Sequence, residues 1–197
     1  MKLYFNPLAC SLASRIAAYE ADKQITPIYV DKAKRTSDGR DFREIYPLGL
    51  VPALELPDGS LLTENAAVLQ HLADAPADRS LQRWLCFIGT ELHRNLAMLL
   101  DKHAPEAVHG YALEKVRPRL AYVDQHLAKH SFLLDQYTVA DAYLFAVLNW
   151  ITVIPALKLA SYPALTAFHA RMLGRPAVKR AFDEERELYI KEQRAIS

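Results

Sequence analysis

The chain has 197 residues, 51% hydrophobic and 24% charged, a globular balance that excludes a disordered or fibrous protein. Its 24 Lys and Arg against 23 Asp and Glu leave a formal net charge of +1, too small an excess to neutralise a phosphate backbone, so nucleic acid is not an expected partner. Apolar stretches such as Ala142 to Leu148 fall far short of the roughly 20 residues that cross a bilayer, and the N-terminus lacks a secretory h-region, so the expectation is a cytoplasmic protein without membrane contact. From Met1 the pattern alternates strand and helix. Leu3 to Phe5 is a short apolar run closed by Asn6-Pro7, and Leu12, Ile16, Ala17 and Tyr19 then recur at helical spacing. Ile28-Tyr29-Val30 predicts a second strand, and Lys32 to Arg43 a polar segment with a turn at Asp38-Gly39. Ala53 to Leu56 and Ser60 to Leu62 flank Pro57-Asp58-Gly59, a loop whose Asp and Gly tolerate positive φ, which suits an antiparallel hairpin. Ala66 to Leu72 returns to helical period, completing a βαβαββα order over residues 1–75, with Ala75 to Arg79 as the natural linker.

Everything from residue 80 to 197 predicts helix. Leu81 to His103 reads as one long amphipathic helix stopped near Pro105, Glu106 to Lys129 as a second, and Val139 to Ile154 as a third, apolar on most faces and therefore central to a core. Two shorter helices follow Pro163 and Pro176, where proline suits the first turn, and the charged tail from Asp183 reads as a solvated end. Thr138 to Asp141 has the spacing of a capping box, with the acid three residues into the helix reaching back to its start.

Cys10 and Cys86 are too few for a disulfide framework, and no C-x-x-C pair is present. Cys10 falls between the first strand and the first helix. A thiol there meets free N–H groups and the positive end of the macrodipole, which favours thiolate, although an unpaired cysteine also serves as a small buried hydrophobe. Ser11 beside it suits a helix cap. Neither an H-E-x-x-H pattern nor a glycine-rich phosphate loop occurs, so no metal or nucleotide cofactor is expected.

Three stretches, Met1 to Phe5 with Ala9 to Ala13, Val51 to Leu54 with Leu62 to Asn65, and Tyr137 to Leu144, together resemble the glutathione transferase superfamily, above all its bacterial beta class. The resemblance implies a thioredoxin-like glutathione-binding domain over 1–75 and an all-α domain over 80–197 that supplies the second-substrate side and the contacts of a homodimer. It implies that Cys10 lies beside the glutathione sulfur and can form a mixed disulfide with it, that Ser11 can donate to a thiolate, and that Tyr4 is packing. It further implies a cis Val51-Pro52 bond whose Val51 N–H and C=O pair with the tripeptide as with a short strand. Glu64 and Asn65, at a helix start, would hold the γ-glutamyl ammonium and carboxylate, and His93 would reach the substrates. Three positions depart from the family: Asn65 replaces Ser or Gly, Leu48 replaces a lysine, leaving Lys34 and Arg35 for the glycine carboxylate, and Cys86 replaces an asparagine that crosses the dimer. The implied reaction is conjugation of glutathione thiolate, as co-substrate, to a small electrophile near Leu100, Tyr111 and Trp150. Glutathione-dependent thiol-disulfide exchange through Cys10, and a non-catalytic binding or regulatory role on the same fold, are the alternatives.

Overall fold

A computed structural model of the chain describes residues 1–75 and 78–196. The linker expected at Ala75 to Arg79 includes Pro76 and Ala77, which lie outside the described residues. Two compact units result, Met1–Pro76 with Pro176–Ser197, and Ala77–Arg175.

The first unit is thioredoxin-like. It runs β1 (Lys2–Phe5), α1 (Ser11–Glu20), β2 (Thr26–Tyr29), α2 (Phe42–Ile45), β3 (Ala53–Glu55), β4 (Leu61–Thr63) and α3 (Asn65–Leu72). The sheet order is β2-β1-β3-β4, with β1 parallel to β2 and antiparallel to β3. Because β2 is an edge strand, Pro27 costs it no ladder bond that a central strand would need. Tyr4 pairs with Ala53 and Leu54 with Leu62, so β3 is fixed between two neighbours and holds the residues just before it in place. The β3–β4 turn closes through Leu56 N–H to the Ser60 carbonyl at 2.9 Å, with Gly59 at φ +83°, where a Cβ would be strained. Helix α1 buries Leu12, Ala13, Ile16 and Ala17 completely, and α2 buries Phe42 against Tyr4 with ring centroids 5.2 Å apart.

The second unit is helical: α4 (Arg79–Phe87), a π-helical turn (Ile88–His93), α5 (Arg94–Leu100), α6 (Glu106–Leu127), α7 (Val139–Leu148), a 3-10 turn (Asn149–Val153) and α8 (Pro163–Leu173). Residues Val139 to Leu148 are all buried, as an apolar central helix requires. The uninterrupted helix expected over Leu81 to His103 is broken by the π turn. There the Thr90 hydroxyl bonds the Cys86 carbonyl at 3.0 Å, and α7 packs against the turn at ordinary contact distance, a Gly89 Cβ standing 3.6 Å from the Tyr143 hydroxyl.

The tail departs furthest from expectation. Residues expected to be a short helix and a solvated end form one helix, α9 (Pro176–Ile196), that packs along α1 and belongs to the first unit rather than to the helical domain. Val178, Ala181 and Glu185 share one buried face at helical spacing. A carboxylate in a core position hides that face from a hydrophobic reading.

Candidate active site

The turn Asn6 to Cys10 is tied at both ends. The Asn6 side chain donates to the Val30 carbonyl at 2.8 Å, and the Ser11 hydroxyl, itself fully buried, donates to the Asn6 carbonyl at 3.2 Å. Ser11 therefore neither caps α1 nor presents a free donor; its one proton holds the turn. The helix instead begins with Cys10 in the cap position, and that side chain makes no capping bond. The Cys10 thiol points to β3 and donates to the Val51 carbonyl at 3.3 Å. Val51 precedes Pro52 through a cis peptide bond, immediately before β3.

The thiolate expected from helix position alone is not what this environment favours. Burial pushes the Cys10 thiol up to about 12, outweighing the backbone N–H groups of Cys10 and Ser11, and the Glu185 and Glu64 charges push it the same way. Desolvation acts on the whole thiolate charge, whereas the helix end offers only partial charges. In this state Cys10 is a neutral thiol and a hydrogen-bond donor.

Asn65 and Glu64, adjacent in sequence, do different work. Asn65 is buried at the first turn of α3. Its Oδ1 accepts from the Ser14 hydroxyl at 2.9 Å and one Nδ2 hydrogen goes to the Cys10 carbonyl at 3.2 Å, so the amide locks α3 to α1 with its second N–H still to give. Glu64 is exposed, occupies the cap position of α3 without a side-chain capping bond, and has φ +67°. A non-glycine residue held in the left-handed region costs of order 1 kcal/mol or more and persists where surrounding structure enforces it. Cys10, Val51, Pro52, Glu64 and Asn65 thus come together in the first unit.

Lys34 and Arg35 lie on a separate stretch of that unit. Lys34 also has positive φ, and its aliphatic stem runs 3.5 Å from where a Gly49 Cβ would stand; Arg35 is exposed, with its N–H given to Asp31 at 2.7 Å. Leu48, in the adjoining turn, is 68% exposed. Tyr4 is fully buried, but its hydroxyl donates to Glu55 at 2.8 Å and accepts from Arg40 at 2.8 Å, so it packs and anchors at once.

His93 belongs to the helical unit, at the end of the π turn. Its Nδ1 lies 2.6 Å from the Tyr143 hydroxyl, and its ring meets Trp150 edge-on at 4.9 Å. Burial pushes its imidazole down to about 4, so it is neutral near pH 7. Tyr143 was not singled out by sequence as a partner of His93. Cys86 is exposed and free.

A thioredoxin-like unit with a thiol at its first helix end, followed by a helical unit, is the architecture of cytosolic glutathione transferases. Family models for the glutathione S-transferase N-terminal and C-terminal domains match residues 9–75 and 82–176. Glutathione S-transferase GstA of Escherichia coli O157:H7 is 39% identical over 199 residues, covering 94% of this chain and 98% of that protein. Among solved structures, a sphingomonad glutathione S-transferase complexed with glutathione superposes with TM-score 0.89 at 35% identity, covering 94% of this chain and 98% of that one. The beta-class enzyme of Sphingomonas chungbukensis gives TM-score 0.88 at 32% identity, with the same coverage of 94% and 98%. The chain belongs to the glutathione S-transferase family, and its likeness is to the bacterial beta class.

Proposed function

We propose that this protein is a transferase that binds glutathione on its thioredoxin-like unit and joins the glutathione sulfur to small electrophiles. The observation that carries the reading is the convergence of Cys10, Val51 and Asn65 through two hydrogen bonds of 3.3 and 3.2 Å, in a chain of this family. Glu64 takes the γ-glutamyl ammonium, and the first turn of α3 takes the neighbouring carboxylate through backbone N–H groups, with the second Nδ2 hydrogen of Asn65 as a further donor. Val51 pairs with the tripeptide backbone, and Lys34 and Arg35 serve the glycine carboxylate.

The sulfur is stabilised as thiolate by the N-terminal end of α1 and by the Cys10 S–H, turned from the Val51 carbonyl to the substrate sulfur. With tripeptide and electrophile held together the attack becomes effectively unimolecular, and no covalent enzyme intermediate is needed. His93, being neutral, is assigned to holding the second substrate by hydrogen bonding rather than to moving a proton. A homodimer, a cytoplasmic location and a detoxifying role complete the proposal; no described helix is long and apolar enough to cross a membrane. Conjugation ranks ahead of disulfide exchange because a thiol pushed to about 12 is almost wholly protonated, and so a poor nucleophile, at neutral pH.

Calorimetry with glutathione and a panel of electrophiles tests this directly. Cys10→Ala should keep glutathione binding and lower conjugation by about tenfold or less, the scale of one hydrogen bond to a charged group. Absence of glutathione binding by the parent protein sinks the reading. A stable adduct on Cys10 after native incubation with oxidised glutathione, without conjugation of any electrophile, would replace it by exchange.

A further inference from the structure

Glu185 is a fully buried carboxyl in the middle of α9. One oxygen accepts the backbone N–H of Leu8 at 2.8 Å, inside the turn that ends at Cys10. Leu8 itself has φ +60°, a conformation that a leucine keeps only when held. The other oxygen has no hydrogen-bond partner among the protein atoms, and the Arg15 Nη1, equally without one, stands 3.9 Å away.

The surrounding charges are unevenly shared. From α1, Arg15 gives its Nη2 to Glu184 at 2.6 Å and Tyr19 donates to the same carboxylate at 2.7 Å; from α9, Arg180 adds a third bond to Glu184 at 3.0 Å. Glu184 thus takes both guanidinium groups at hydrogen-bond distance, and Glu185 keeps only the longer Arg15 contact. Its charge, when present, is poorly compensated in a low-dielectric site, and Cys10 feels it together with the Glu64 charge from α3.

We propose that Glu185 is a positioning residue for Cys10: its carboxyl fixes the turn that carries the thiol, and its ionisation opposes thiolate formation there, so that one buried carboxyl on the C-terminal helix sets how readily Cys10 reacts. Burial pushes the Glu185 carboxyl up to about 8, with the Leu8 N–H and Arg15 pulling down and Glu184 pushing up, so the switch falls in an accessible pH range. The inference deepens the reading of Cys10 as a site thiol, but it concerns the thiol itself and is measured without glutathione.

The test is the alkylation rate of Cys10 by iodoacetamide between pH 6 and pH 10 in a Cys86→Ser background, which removes the exposed second thiol. A lone thiol that titrates above this range gives a logarithmic rate rising with unit slope. The parent should follow that line to about pH 7.5, bend below it as Glu185 ionises, and lie about tenfold under its extrapolation at pH 9.5, the effect of one like charge nearby. Glu185→Gln retains an acceptor for Leu8 and should give a straight line, equal to the parent at pH 6.5 and about tenfold faster at pH 9.5. A purely structural role would displace the whole line without bending it. A straight parent line, a bend that persists in Glu185→Gln, or a Cys10 inert at every pH would each overturn the proposal. Should Glu185→Gln not fold, the parent bend must coincide with the carboxyl titration of Glu185 followed by carbon-13 resonance, and a mismatch overturns it equally. Absence of glutathione binding with the bend intact would instead count against the transferase reading alone.

Discussion

The starts of α7 and α1 are both helix N-termini, and they are finished in opposite ways. At α7, Asp141 is fully buried and accepts from the Leu133 N–H at 2.9 Å, the Thr138 N–H at 2.8 Å and the Thr138 hydroxyl at 3.2 Å. That end is closed, and its capacity for anions is used internally. At α1 the cap residue is Cys10, which gives its proton to a carbonyl and caps nothing; at α3 it is Glu64, exposed and likewise without a capping bond. The acid of α7 is spent on backbone N–H groups at and before its own cap, whereas the cap side chains of α1 and α3 bond none of the first-turn N–H groups of their helices.

The sharpest way to break this contrast is to open the closed end. Asp141→Ala removes one carboxylate and strands the buried Leu133 N–H and the part-buried Thr138 N–H, which should cost about 3 kcal/mol, the buried donor contributing most within the usual 1 to 3. Urea denaturation of the full chain reads this as a lower midpoint or outright failure to fold. Loss below about 1 kcal/mol would mean the capping box is dispensable. The same truncation at the open end should behave in reverse: Glu64→Ala should leave stability within about 0.5 kcal/mol, as for an exposed side chain, yet weaken glutathione binding by about 2 kcal/mol. Calorimetry and denaturation on the same sample decide it, and a Glu64→Ala protein that binds glutathione as the parent does removes Glu64 from the site.

Titration extends the comparison to the helical unit. His93 has a folded value near 4 against 6.5 for the free side chain, so between these the unfolded chain binds more protons. Its contribution to stability is therefore complete above pH 6.5 and is lost as pH falls towards 4, by about 1 to 2 kcal/mol once its part exposure is allowed for. Asp141, pushed up to about 6 by burial, and Glu185, pushed up to about 8, act with the opposite sign: their folded forms hold extra protons, and stability is lost as pH rises through those windows. The His93 share is thus the difference between parent and His93→Gln, which keeps a partner for Tyr143. The variant should show a flatter acid limb; identical limbs would mean that His93 is as hydrated in the folded protein as in the unfolded chain.

The elements were legible wherever a local rule acted alone. The Pro57-Asp58-Gly59 turn and the acid of the capping box follow from turn chemistry and capping spacing, and the apolar helix expected over Val139 to Ile154 is present as α7 to Leu148, its last turn tightening to 3-10 over Asn149–Val153. Three features were not legible because a distant partner decides them. The π turn at Ile88 to His93 lies where α7 packs, the tail is ordered because α1 offers it a face, and burial decides between the two readings of Cys10 that sequence left open. Asn65 makes the point within one residue. The resemblance assigns it a ligand, and tertiary contact adds a second task that sequence does not show, with Oδ1 accepting from Ser14 and one Nδ2 hydrogen given to the Cys10 carbonyl.

The smallest effect concerns Leu48, where the family's lysine is absent. It sits in a turn closed by the Gly49 N–H to the Tyr46 carbonyl at 2.8 Å, and its side chain is largely in solvent. A substitution there disturbs no packing, so Leu48→Lys should change stability by less than about 0.5 kcal/mol. Any gain must come from a charge placed near the tripeptide's glycine carboxylate, and a solvent-exposed pair is worth about 0.2 to 1 kcal/mol. Glutathione should consequently bind up to about fivefold more tightly, and the gain should shrink in high salt because exposed charges are screened within about 10 Å at 0.1 M. Calorimetry at low and high ionic strength measures both. A tighter affinity that ignores salt would point to altered loop conformation instead of charge, and no change at either ionic strength would show that the glycine carboxylate is held without any contribution from position 48.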